Sequence, residues 1–137
     1  MMPVRADLEL RLVLGGDRSA TVPVRLGYRP ADPWAVTALF RTADGDVTWV
    51  FGRDLLEEGL TRTAGEGDIA VWPVIDAADG PQLYLSLASP SGTALLEADP
   101  IEVRRFLDET YRLVPAGTES AFLDLDAELA RLVEGFA

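Results

Sequence analysis

Apolar residues recur at every second position through most of the first hundred residues, and that period commits the chain to β-strands. Val4, Ala6, Leu8, Leu10, Leu12 and Leu14 share one phase, while Arg5, Asp7, Glu9 and Arg11 share the other. Such a strand wets one face and needs the other covered. The segment GGDRSA ends it, and Val22, Val24, Leu26 and Tyr28 repeat the phase in a second strand, where Pro23 points to an edge or a bulge. Trp34, Val36, Ala38 and Phe40 line a third strand, TADGD supplies a turn signal, and Val47, Trp49 and Phe51 line a fourth, so these two form a hairpin. GEGD, DAADGPQ and SPSG then set off three more strands, DIAVWPV, LYLSLAS and TALLEA. The expected class is α+β, with about seven strands.

Helices interrupt and end the strands. RDLLEEGL after the fourth strand reads as a short acidic helix: Asp54 and Glu57 have capping-box spacing, Leu55, Leu56 and Leu60 anchor it, and Gly59 is placed to end it. Near the C-terminus, Asp99 and Pro100 suit the N-cap and N1 positions, with Glu102 at N3. Val103, Phe106, Leu107, Thr110 and Val114 share one face of that helix, and Asp108 and Arg112 form an i,i+4 pair on the wet side. VPAGTE ends it. A last helix is expected from Asp124, with Leu125, Leu129, Leu132, Val133 and Phe136 as its apolar stripe. At 137 residues without an internal repeat or linker, the chain reads as one domain over 1–137, burying roughly two-thirds of its unfolded surface.

Composition narrows the chemistry. There is no histidine and no cysteine, which removes the commonest metal ligand, the thiolate sites, the disulfides and the usual general base near neutral pH. Ser86, Ser89 and Ser91 have no adjacent base and no GxSxG elbow. GEGD leads into a strand rather than a helix and lacks phosphate-loop spacing. The acidic groups Asp54/Glu57/Glu58, Asp99/Glu102 and Asp124/Asp126/Glu128 all fall where helices begin, where carboxylates cap N–H groups and oppose the dipole. No catalytic, metal or cofactor site is assigned, and the chain is read as not an enzyme.

The net charge of -11 opposes nonspecific attraction to phosphate backbones and anionic lipid and favours basic partners. All 12 basic residues are arginine, a bias that fits GC-rich coding. The N-terminal stretch alternates and has no continuous apolar run, so a cytoplasmic protein without membrane insertion is expected. Trp34 and Trp49 have inward phase and read as core. Trp72 is out of phase with Ile69 and Val71, so the DIAVWPV strand is apolar on both faces, which suggests that a neighbouring subunit or a helix covers one of them. Four residues are candidates for protein interfaces: Glu57 and Glu58 on the exposed face of the short helix, Trp72, and Gly117, which is read as taking a conformation that sets the angle between the last two helices.

Three blocks, ADPWAVTALF, TWVFGRDLLEEGL and GEGDIAVWP, in this order and spacing, resemble the signature of the SsgA-like proteins, regulators of sporulation-specific cell division in filamentous actinomycetes. LELRLVL, LASPSGTALLEA, VPAGTE and FLDLDAEL extend the resemblance over nearly the whole chain. It implies two antiparallel sheets with helices, a barrel-like arrangement similar to the Whirly-type single-strand nucleic-acid binders, assembled as a trimer. It also implies a non-enzymatic adaptor that acts at division septa, brings the tubulin-like protein FtsZ to them and works with a sibling SsgA-like protein. The alternative carried by fold analogy is single-stranded nucleic-acid binding, which lacks a basic stripe: only Arg104 and Arg105 are adjacent.

Overall fold

The computed structural model describes residues 3–75, 80–123, 129, 131 and 132. Alternation is realised in β1 (Val4–Gly15), β2 (Arg18–Arg29), β3 (Asp32–Thr42) and β4 (Gly45–Gly52), followed by α1 (Arg53–Gly59), β5 (Ala64–Glu66), β6 (Ile69–Val74), β7 (Gln82–Ser89), β8 (Gly92–Ala98) and α2 (Pro100–Leu113). All eight strands belong to one antiparallel sheet, ordered β4-β3-β2-β1-β8-β7-β6-β5. Among the described residues, the expectation of two sheets is corrected to one, and that of about seven strands to eight. The added strand is β5, three residues that precede the Gly67 turn and pair with β6. The two-sheet expectation has a physical remnant: β1 and β8 join the halves through only two residue pairs, Arg11 with Glu97 and Leu12 with Leu96. About that narrow junction the sheet curls into a half-barrel. Leu8, Leu10, Val24 and Phe40 from one half and Val71, Leu83, Leu85 and Leu96 from the other contribute to a single buried core.

Helix α1 contacts β3 and β4 on one side and β5 and β6 on the other, so it bridges the two free edges of the curled sheet. Leu55 and Leu56 anchor it in the core. Its N-cap is Gly52, with no side-chain cap, so the capping box read at Asp54 and Glu57 is not formed. Helix α2 packs on β1 and α1 and follows its sequence signals closely. The Asp99 carboxylate accepts from the Ile101 N–H at 2.9 Å, and Val103, Phe106, Leu107, Thr110 and Val114 are all buried. On its wet side the expected Asp108–Arg112 pair is replaced by Arg104–Asp108 at 3.0 Å and by Arg112–Glu109.

Three strand-level expectations also change. Pro23 lies in an interior strand, opposite Glu9 of β1, but the β2–β3 ladder begins only at Val24, so toward β3 the missing N–H costs no ladder bond. Trp34 is 43% exposed rather than core, because the β2–β3 register jumps from Tyr28–Val36 to Arg29–Asp32 and leaves residues 33–35 outside the ladder and its alternation. Trp49 does pack against the core. The last helix is already helical at 119–123, five residues before Asp124, with the N–H groups of Ala121 and Phe122 donating to the Thr118 carbonyl. Asp124, Asp126 and Glu128, and Leu125, Val133 and Phe136 of the stripe, lie outside the described residues, while Leu129 and Leu132 are more than half exposed.

Candidate protein-docking site

Arg53 begins α1, yet it continues the inward phase of Val47, Trp49 and Phe51, and its side chain is 1% exposed. A guanidinium placed there must find acceptors or lose its hydration uncompensated. Its two terminal nitrogens find them at and just beyond the C-terminus of α2, while the buried Nε has no hydrogen-bond partner among the described residues. Nη1 donates to the Val114 carbonyl at 2.7 Å and the Thr110 carbonyl at 3.3 Å, groups that the end of a helix leaves without an intrahelical partner or only singly bonded. Nη2 donates to Glu119 Oε1 at 2.8 Å. The guanidinium carbon lies 4.9 Å from the Tyr28 ring centre and 4.3 Å from that of Tyr111, a double cation–π contact. Arg53 thus works as the missing C-terminal cap of α2, where a cation also favours the helix dipole. Burial pushes the Tyr28 hydroxyl up to about 12, against the opposing pull of Arg53, and that hydroxyl donates to the Pro33 carbonyl at 2.8 Å.

From Glu119 the lock passes to Gly117. The Gly117 N–H donates to both carboxylate oxygens of Glu119, at 3.2 and 3.0 Å. Gly117 has φ +87°, and an added Cβ would meet nothing within 4 Å, so the demand for glycine is conformational rather than steric. Gly117→Ala is therefore expected to cost about 1 to 2 kcal/mol by urea denaturation. A variant as stable as the parent would show that the turn has another accessible conformation.

The other candidates sit differently. Glu57 is held by Arg104 through two bonds, 2.5 and 3.1 Å, and Glu58 by Arg62 at 2.8 Å. Both carboxylates remain about two-fifths exposed, so the α1 face is acidic but pre-organised by arginine. The bond to Glu57 is the main reason the Arg104 guanidinium is raised above its ordinary value. Trp72 lies apart, on the outer face of β6, half-buried against Tyr84 in an edge-to-face contact at 5.9 Å. The structure thus links Glu57, Glu58 and Gly117 through α1 and Arg53 and leaves Trp72 on the opposite face of β6 from the buried Val71. Sequence reading missed Arg53, Tyr28, Tyr111 and Glu119 as a unit. A signal was present: Arg53 occupies an inward strand phase, where an unpaired cation is untenable.

This architecture has known counterparts. A family model described as "Streptomyces sporulation and cell division protein, SsgA" matches residues 22–119, and the chain belongs to that SsgA family. The sporulation-specific cell division protein SsgB of Kineococcus radiotolerans is 50% identical over 131 residues, covering 95% of this chain and 79% of the relative. A solved structure from work on SsgB mutations that correlate with longitudinal cell division during sporulation of Streptomyces coelicolor superimposes with TM-score 0.83 at 46% identity, over 88% of this chain and 95% of that one. The crystal structure of an SsgA-like sporulation-specific cell division protein from Thermobifida fusca gives TM-score 0.86 at 37% identity, over 95% of both chains. Within the family, the chain is most like SsgB.

Proposed function

We propose that this chain is a non-enzymatic adaptor of sporulation-specific cell division, which self-associates as a trimer and helps localise FtsZ to septum sites, together with a sibling SsgA-like protein. The observation that carries the reading is the likeness to SsgB along nearly the whole chain, division proteins by name. The geometry supports it: α1 presents an acidic face that is fixed from beneath by Arg53 and from the side by Arg104, a rigid surface suited to protein contact. The net charge of -11 weighs against the nucleic-acid alternative. Light scattering of the purified protein, alone and with labelled single-stranded DNA, and co-sedimentation with FtsZ polymers test it. The expected results are a DNA-free trimer and recovery in the FtsZ pellet. Retention of DNA with no recovery in the pellet would overturn the reading.

A further inference from the structure

Among the described residues the curled sheet has two free edges, β4 and β5, and they are guarded very differently. Edge strands present unpaired backbone N–H and C=O groups, which proteins blunt with short strands, lysine, proline or bulges. β5 is blunted by its length, three residues. β4, GDVTWVFG, has eight residues, no proline, a single charged residue, Asp46, and an unbroken ladder to β3 from Ala35–Gly52 to Thr42–Gly45. That is an open template about 26 Å long. Val50 on it is 61% exposed. Beside it, a cleft of about 440 Å³ lies between the two edges, lined by Trp34, Val50, Phe51, Leu55, Glu66 and Ile69.

Charge specifies the occupant. Asp46 lies on β4 itself, Glu66 lines the cleft, and Asp54 follows at the start of α1. None of the three has an ion-pair partner among the described residues, although Arg41 stands opposite Asp46 in the ladder. We infer that the β4 edge receives an extended segment of another protein, alternating basic and apolar residues, as an added strand. Main-chain hydrogen bonds to β4 hold the segment, its apolar side chains fall on the Phe51 side, where the cleft opens, and its basic ones fall on the face that carries Asp46, with Glu66 adding negative charge at the cleft. Charge complementarity then selects against acidic segments and speeds encounter. The inference rests on the reading of the chain as a protein-binding adaptor and gives that adaptor a docking edge.

The probe is a fluorescein-labelled octapeptide alternating arginine and valine, with a glutamate–valine peptide as its counterpart. Fluorescence anisotropy should show binding of the first that weakens with salt, no binding of the second, and a loss of about tenfold or more in Val50→Lys, a lysine guard on the edge. Trp34→Ala, a separate contact, should also weaken it, and thermal melts confirm that both variants fold. Hydrogen exchange of the 45–52 amides should slow when peptide binds. Equal binding of both peptides, undiminished binding by Val50→Lys, or protection elsewhere overturns the inference. So does a drop in oligomer mass in Val50→Lys, which would show the edge already occupied by a second copy. FtsZ co-sedimentation separates the two readings: recovery of Val50→Lys in the pellet without any peptide effect sinks the docking edge and leaves the adaptor standing. Peptide binding with no FtsZ recovery by the parent does the reverse.

Discussion

Arg53→Ala is expected to lose about 3 to 5 kcal/mol of unfolding free energy in a urea titration, the cost of breaking a buried ion pair by removing one partner. The truncation leaves the Val114 carbonyl and the Glu119 carboxylate in a site that held the guanidinium at 1% exposure, and removes the cation from between two tyrosines. Arg53→Lys should recover little, because one ammonium cannot reach the α2 carbonyls and Glu119 from two separated nitrogens and stack on both rings. The double variant Arg53→Met with Glu119→Gln should be more stable than Arg53→Ala, since it removes the charge together with its partner. If the double variant is no better, Glu119 is not the group stranded by the single substitution. Acid provides a second readout. The Glu119 carboxyl is held below the usual glutamate range, chiefly by its own backbone N–H, with Arg53 and the Gly117 N–H adding to this against partial burial. A folded value below the unfolded one means protonation favours unfolding, so this stabilisation is complete at neutral pH and disappears as pH falls through the folded value. Glu119→Gln should flatten the acid limb of the stability curve. An unchanged limb would assign it to other carboxylates.

How legible all this was in the sequence differs between elements, for physical reasons. α2 was almost fully legible, because a capped helix with one apolar face is a local pattern: Asp99, Pro100 and the stripe from Val103 to Val114 all fall where the spacing put them. The strands were legible for the same reason, down to the β3–β4 hairpin. Sheet closure was not, since the decision between one sheet and two rests on two pairs between residues more than eighty positions apart, Arg11 with Glu97 and Leu12 with Leu96. The lock was half legible. Gly117 stood out as a turn glycine, and the structure gives it φ +87°. Arg53 carried one local signal, its inward strand phase, but its partners at Tyr28, Thr110, Val114 and Glu119 come from two distant segments that no spacing connects to it. Charge pairing was legible in kind but not in detail: Arg104 could choose among Glu57, Asp108 and others, and it takes both of these.

Gly59→Ala is expected to destabilise the fold by about 1 to 3 kcal/mol, although alanine is the better helix former by about 1 kcal/mol. Gly59 read in the sequence as the residue that ends α1. In the structure it is still helical, it is absent from the glycines with positive φ, and the chain passes through Leu60 in a right-handed helical conformation. Termination therefore does not require glycine here. Close approach does: a Cβ at position 59 would stand 2.4 Å from Val71 Cγ1 and 2.6 Å from Val71 Cβ, and Val71 is fully buried in β6. Neither atom is the free end of a flexible chain, so the helix or the strand must move, in a core packed too densely to absorb it. The bridge that α1 makes between the sheet edges is thus set at a height that only glycine permits. A double-mutant cycle with Val71→Ala tests this account. Removing Cγ1 relieves the nearer clash and leaves the Cβ contact, so alanine at 59 should cost less in the Val71→Ala background without becoming neutral, a coupling of about 0.5 kcal/mol or more. Additive losses would mean that Gly59 serves the helix end after all.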